Sequence, residues 1–234
     1  MLDAWLRTTV YCQLPYVGMN LKAGRRSVTS PSKICRLGVL ISGRGSNMVA
    51  LADAVGQGRI PGAEIALVIS DQRRAAGLGR AAERGLKTSV IERGDRTREE
   101  HEQEIVAALS EGQIDLVCLA GYMRLLSRHA LDTYRGRILN IHPSLLPAFP
   151  GLAAQQQALD HGAKWSGCTV HFVDETLDGG FIIAQSIVPV LDDDSEETLS
   201  ARILGQEHLL YAEAVALIVS GEYEVAGRRV LNKR

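Results

Sequence analysis

Between Leu37 and Ile141, apolar runs of strand length alternate with stretches patterned as helices. Residues 37–41, 63–70, 87–91, 115–120 and 138–141 read as strands, and 46–56, 75–84 and 96–110 as helices. Cys118 sits in a nearly all-apolar run, as expected of a strand covered on both faces. In the helix over 96–110, Ile105, Ala108 and Leu109 share one side. Strand–helix alternation of this kind closes only as a parallel sheet with right-handed crossovers, because each helix must return the chain to the same end of the sheet. The expected fold is therefore α/β: a Rossmann-like, mostly parallel sheet flanked by helices.

The rhythm changes after Gly151. A short helix over 155–161 is followed by two β-rich runs, 168–173 and 182–190, joined around Asp178-Gly179-Gly180. Glycines between β-rich runs favour an antiparallel connection, so this part reads as an antiparallel C-terminal addition to the sheet. A long helix over 195–220 follows, with Asp194 and Glu197 at capping-box spacing and Leu199, Ile203, Leu210, Ala214 and Leu217 as its buried stripe. With no internal repeat or long linker, residues 35–234 read as one domain. Residues 1–34 read differently, with five basic residues, Asp3 as the single acid and no signal-like apolar core. They are expected to be a disordered extension, or upstream sequence ahead of a start at Met19, rather than an organelle leader.

A formal net charge of −1 over 234 residues argues against a chain whose main task is to coat nucleic acid or an anionic membrane. The apolar runs have strand length and no segment stands out as a membrane span. The four cysteines form no Cys-x-x-Cys pair. Packed thiols in a reducing compartment are expected, rather than disulfides or a metal centre.

Three constellations carry chemistry. The strand at 138–141 runs into a segment with Pro143, Pro147 and Pro150, which can continue neither as interior strand nor as helix. It ends by presenting Asn140 and His142, which lie two residues apart and share a face. An amide donor beside a titratable imidazole is an oxyanion and acid–base pair, although a histidine merely capping a backbone group has the same spacing. The second is Ser42-Gly43-Arg44-Gly45-Ser46-Asn47, between the first strand and first helix, where free helix-start N–H groups suit a phosphate. It fails the dinucleotide fingerprint, because Met48 replaces the third glycine, and it lacks a nucleotide P-loop ending and the geometry of a nucleophile elbow. The third is the acidic turn Asp174-Glu175-Thr176-Leu177-Asp178, which lacks the ligand alternation of a calcium loop. Either it is a solvated turn, or Asp178 meets His142 and stabilises the protonated imidazole, raising its pKa.

Four segments in order, 40–47, 119–127, 140–151, and 170–173 with 177–180, resemble the phosphoribosylglycinamide formyltransferases, folate-dependent transformylases of purine (IMP) synthesis. The resemblance spans residues 36–223. Methionyl-tRNA formyltransferases and formyltetrahydrofolate deformylases resemble the same catalytic segments, but carry an extra C-terminal and an N-terminal regulatory domain respectively. The early Gly-x-Gly-Ser-Asn is the feature that most favours the glycinamide ribonucleotide enzyme.

The resemblance implies His142, Asn140 and Asp178 as the catalytic trio. It implies Gly45, Ser46 and Asn47 at the ribotide phosphate, with Glu207 at the glycinamide end. Folate contacts are implied for Arg98, Met123, Arg124, Leu125, Leu126 and Asn140, and for the loop of Asp174, Glu175, Thr176, Leu177 and Asp178. Ala153, Gln155 and Leu204 depart from the pattern. The implied reaction moves the formyl group of the co-substrate 10-formyltetrahydrofolate to the amine of glycinamide ribonucleotide by direct attack, without a metal. His142 acts as general acid and Asn140 stabilises the oxyanion. The implied protein is a cytoplasmic monomer or homodimer with no nucleic-acid or membrane partner. The competing readings are a hydrolase passing the same formyl group to water, and a catalytically silent nucleotide- or folate-binding module.

Overall fold

The computed structural model describes residues 33–233; the reading of the N-terminal segment therefore falls, except for Lys33 and Ile34, outside the described residues. Seven strands form one sheet: β1 (Cys35–Ile41), β2 (Ala63–Ser70), β3 (Thr88–Val90), β4 (Leu116–Leu119), β5 (Ile138–His142), β6 (Trp165–Phe172) and β7 (Ile182–Pro189). Their order is β3-β2-β1-β4-β5-β6-β7. The first five are parallel, while β6 is antiparallel to β5 and β7 antiparallel to β6, as the sequence pattern predicts.

Among the described residues, six helices cover the sheet: α1 (Ser46–Gly56), α2 (Ala76–Glu83), α3 (Arg98–Glu111), α4 (Arg128–Thr133), α5 (Ala154–Asp160) and α6 (Glu196–Ser220). Alternate residues of each strand feed two cores. Leu37, Val39, Ile41, Cys118, Leu139 and Val170 pack with Leu199, Ile203 and Tyr211 of α6. Leu40, Leu67, Ile69, Val117 and Ile138 pack with Ile105 and Leu109 of α3 and with Ala130 of α4. Gly38 is held to a bare Cα, since a Cβ there would meet Leu109 Cδ2 at 2.7 Å. The buried face of α3 includes His101 and Glu102 as well as the expected apolar residues. His101 Nε2 donates to the Ile91 carbonyl, and Glu102 accepts from Arg98 and from the Ser127 N–H.

Several local expectations are corrected. The box that starts α6 is Ser195 with Thr198, displaced by one residue from the Asp194 and Glu197 reading. Asp194 instead accepts from Thr198 Oγ1 and from both terminal nitrogens of Arg202. Helix α3 starts two residues late, because Thr97 and Glu100 form a complete capping box. Neither α4 nor a C-terminal hairpin, β8 (Tyr223–Ala226) paired with β9 (Arg229–Asn232), is apparent from periodicity. The reading that no segment approaches a membrane span also changes: α6, with 25 residues, is long and apolar enough by length and composition alone. Its apolar side is spent instead on the sheet, where Leu199, Ile203, Leu210, Tyr211, Ala214 and Val215 are buried.

Candidate functional site

Strand β1 lies between β2 and β4, so the strand order reverses there, and the loops after β1, β4 and β5 open on one crevice. In open α/β sheets the carboxyl ends of strands at such a switch point form the natural binding crevice. Gly45 ends the β1–α1 loop at φ +70, a left-handed conformation that glycine adopts without strain, and a Cβ there would lie 2.7 Å from Gly77 Cα. Gly77 in turn donates its N–H to the Gly43 carbonyl, so two bare backbones lie against each other. Helix α1 starts with no side-chain cap, which leaves its first N–H groups facing the crevice beside Ser46 and Asn47.

Asn47 is buried, and its Nδ2 donates to Glu207 Oε2 at 2.7 Å, bringing the α1 and α6 candidates together. Burial pushes the Glu207 carboxyl up, an effect only partly opposed by the Asn47 hydrogen bond and the His142 charge. Asn47 Oδ1 is buried without a hydrogen-bond partner. A buried orphan acceptor beside an acid is where a ligand donor fits.

The second cluster grows from strand register. Asn140 on β5 stands directly across from His171 on β6, and His142 across from Thr169. These residues lie on the face that α3 and α4 cover elsewhere. Here that face is closed by the proline loop after β5, which includes a cis Leu146–Pro147 bond, and by the loop of residues 173–181. His171 Nδ1 donates to the Phe172 carbonyl at 2.8 Å, and burial depresses its pKa. The neutral ring therefore presents a bare Nε2, which accepts from Asn140 Nδ2 at 3.2 Å. That fixes the amide orientation and leaves a second N–H on the same nitrogen.

His142 Nε2 donates to the Phe149 carbonyl at 3.0 Å, and its Nδ1 faces Asp178 Oδ2 at 3.5 Å. Both ring nitrogens of His142 therefore face oxygen acceptors, the Phe149 carbonyl at Nε2 and the Asp178 carboxylate at Nδ1. Asp178 Oδ2 also accepts the Gly151 N–H at 2.8 Å, and Oδ1 lies 3.7 Å from His171 Nε2. His142, His171 and Asp178 are all nearly buried, at 6%, 2% and 11% side-chain exposure. Asp178 has φ +49, and Phe149 and Ala153 are also non-glycine residues with positive φ. Such positions cost on the order of 1–3 kcal/mol each and persist only where their surroundings fix them.

The third group lines the β4–α4 loop. Met123 and Leu125 are 71% and 62% exposed, and Leu177 and Leu152 also leave apolar surface uncovered. Between the first two, Arg124 Nε reaches Asp71 Oδ2 at 2.5 Å. Burial works to raise the Asp71 pKa, but hydrogen bonds from Ser42, Arg124 and Gln72 and the Arg124 charge together hold it below the ordinary value. Met123 N–H donates to Ser42 Oγ, tying this loop to the end of β1. Arg98 pairs with Glu102 and donates to the Leu126 carbonyl, while Leu126 itself packs into the second core. Asp174 Oδ1 accepts the Thr176 N–H, and Glu175 lies 4.0 Å from Arg128, both at the outer edge of the loop.

Sequence reasoning missed His171, Asp71 and Gly77. His171 falls within the segment 170–173, and period-two alternation along β6 places it on the polar face, but its partner depends on a register that sequence does not state. Cys118 and Cys168 are buried thiols raised to about 12 by desolvation, as packed, unreactive cysteines should be.

The family model described as formyl transferase matches residues 35–215, and the chain belongs to that family. It is 48% identical over 206 residues to the trifunctional purine biosynthetic protein adenosine-3 of Drosophila pseudoobscura pseudoobscura, a match covering 86% of this chain and 15% of that protein. The phosphoribosylglycinamide formyltransferase of Escherichia coli strain K12 is 42% identical over 188 residues, 80% of this chain and 88% of that one. The crystal structure of glycinamide ribonucleotide transformylase 1 from Symbiobacterium toebii matches with a TM-score of 0.85 at 47% identity, covering 90% of this chain and 99% of that one. The chain thus spans only 14% to 19% of the length of the trifunctional relatives it matches.

Proposed function

We propose that the protein transfers the formyl group of 10-formyltetrahydrofolate to the amine of glycinamide ribonucleotide, as a phosphoribosylglycinamide formyltransferase in purine synthesis. The observation that carries this reading is the Asn140–His171–Asp178–His142 cluster, set beside an uncapped helix start and a buried acid. The relatives named for this activity support it, among them a protein of which this chain covers 88%.

In this reading the uncapped start of α1, at Gly45, Ser46 and Asn47, takes the ribotide phosphate through backbone N–H groups. Glu207 and the orphan Asn47 Oδ1 take donors near the glycinamide end. The exposed apolar surface of Met123, Leu125 and Leu177 suits a flat pterin, with Arg124 held by Asp71, Arg98 held by Glu102, and Leu126, Asp174, Glu175 and Thr176 around it. The co-substrate supplies the formyl carbon and a folate nitrogen as leaving group. Amine attack builds negative charge on the formyl oxygen. The free N–H of Asn140 and the His142 imidazolium stabilise that charge, the kind of contribution that often dominates acyl transfer. Asp178 holds His142 charged; His142 gives a proton to the departing nitrogen through water ordered by Asp178, and recovers one from the attacking amine, which sheds it on becoming an amide. Alignment of two bound molecules supplies much of the acceleration. Two soluble substrates and a cytoplasmic setting go with this reading.

The test is turnover of His142→Ala with both substrates saturating. A strong fall in kcat with ribotide binding preserved is expected, and wild-type turnover would remove His142 from the mechanism.

A further inference from the structure

We propose that the C-terminal hairpin is a clamp on the loop that carries Asp178, and that Arg228 is the positioning residue through which it acts. The inference rests on the role given to Asp178 above. The hairpin follows the region matched by the formyl transferase model, which ends at residue 215.

The loop between β6 and β7 is tightly folded. A Cβ on Gly180 would lie 1.8 Å from the Phe172 carbonyl oxygen, and one on Gly179 would lie 2.5 Å from Thr176 Cγ2. Asp178 itself sits at φ +49, a conformation that an aspartate keeps only while its flanks are held. On the inner side, its carboxylate accepts from Gly151. On the outer side, Arg228 Nη2 donates to the carbonyl of Gly179, the next residue, at 2.6 Å. The same guanidinium lies 5.6 Å above the ring of Phe181, a buried residue two positions further along. Before the loop, Tyr223 of β8 packs on Phe172 with ring centroids 6.2 Å apart. The hairpin therefore touches the chain on both sides of Asp178.

It is a firm post for this purpose. Tyr223, Val225 and Val230 pack against the main core, and four paired positions hold β8 to β9. Arg228 is exposed, at the turn between the two strands. An exposed side chain with one carbonyl partner and one ring face adds little to global stability. Its leverage is on geometry, because displacing a catalytic group by about 1 Å can cost on the order of 100-fold in rate. A planar guanidinium can cover the ring and donate to the carbonyl at once, whereas an ammonium can only donate.

The experiment measures kcat and both KM values for full-length Arg228→Ala, Arg228→Lys, Asp178→Asn and the Arg228→Ala/Asp178→Asn double variant. Arg228→Ala is expected to lower kcat about 5- to 20-fold. Its KM for glycinamide ribonucleotide should stay within about twofold, since the ribotide residues lie on α1 and α6, and its thermal midpoint within about 2 °C. Arg228→Lys should recover only part of the lost kcat, because its ammonium can replace the donation to Gly179 but not the guanidinium's cover of the Phe181 ring. In the Asp178→Asn background, removing Arg228 should change kcat less than about twofold, because the group it positions is already gone. Wild-type kcat in Arg228→Ala, with Asp178→Asn strongly impaired, would overturn the clamp and leave the catalytic reading standing. A full multiplicative loss in the double variant, or a loss of rate matched by a collapsed thermal midpoint, would also overturn it. Wild-type turnover in Asp178→Asn would instead refute the reading of Asp178, and the clamp with it.

Discussion

Replacing Asp178 by asparagine removes one charge while keeping the shape of the side chain. The amide oxygen that takes the carboxylate's place can still accept the Gly151 N–H now received at 2.8 Å, so the loop should hold its course. What disappears is the attraction between a carboxylate and the His142 ring, whose Nδ1 lies 3.5 Å from Oδ2. For unit charges at that distance, an effective dielectric near 20 gives roughly 4–5 kcal/mol. The partial exposure of Asp178, at 11%, and the Gly151 N–H that it also accepts reduce this to about 3–4 kcal/mol. At about 1.36 kcal/mol per decade, kcat should fall on the order of 10²- to 10³-fold. Conversion of 10-formyltetrahydrofolate is followed spectrophotometrically, with both substrates saturating. The ribotide KM should move little, because Asn47 and Glu207 are untouched. A kcat within about threefold of wild type would refute the argument, because it would mean that the charge beside His142 does not matter to the reacting state.

Other consequences follow from the same geometry. Asn140→Ala removes the proposed oxyanion donor and is expected to lower kcat about 10²-fold with ribotide binding, measured calorimetrically, unchanged; loss of binding with normal saturated turnover would contradict this. Glu207 has a raised pKa, so the folded state binds its proton more tightly than the unfolded chain and the buried charge costs stability above that range. Glu207→Gln should therefore raise the urea midpoint at about pH 7.5 relative to about pH 4.5 while weakening ribotide binding; an unchanged midpoint difference would contradict it. The depressed pKa of His171 has the opposite sense, giving stability that is present at and above about pH 6.5 and lost as pH falls toward the folded value. Wild-type urea midpoints should fall between about pH 7.5 and about pH 5.5, with a smaller fall in His171→Gln. Equal slopes would show that His171 is not the group responsible.

The parallel half of the sheet was legible because its inner strands β1, β2 and β4 are largely apolar and buried, and its helices carry one apolar side. The proline run after β5 likewise marked where Asn140 and His142 must stop, since Pro143 cannot extend the strand. What was not legible depended on register and on contacts distant in sequence. The Asn140–His171 pair exists because β5 and β6 align those two residues, and a slip of one would turn His171 to the other core. Asp71 and Arg124, 53 residues apart, give no local signal of their pairing. Helix α4 has six residues, too few to show a period, although Ser127 caps it through the Ala130 N–H. The hairpin of β8 and β9 carries half-buried and exposed residues with a short turn, and its position against Phe172 and Gly179 is a tertiary fact. At α6 the misplaced cap arose because Asp194-Ser195 offers two candidate capping residues in succession, and Asp194 is taken by Arg202.

The central claim is that this crevice passes a formyl group from a folate to the amine of a ribotide. Its most direct test follows 10-formyltetrahydrofolate conversion with glycinamide ribonucleotide present and absent, measuring formate and the formylated ribotide together. The account predicts conversion that requires the ribotide, matches formylated product mole for mole and releases little formate. Conversion at the same rate without ribotide, with formate as the product, would contradict it and identify a hydrolase instead.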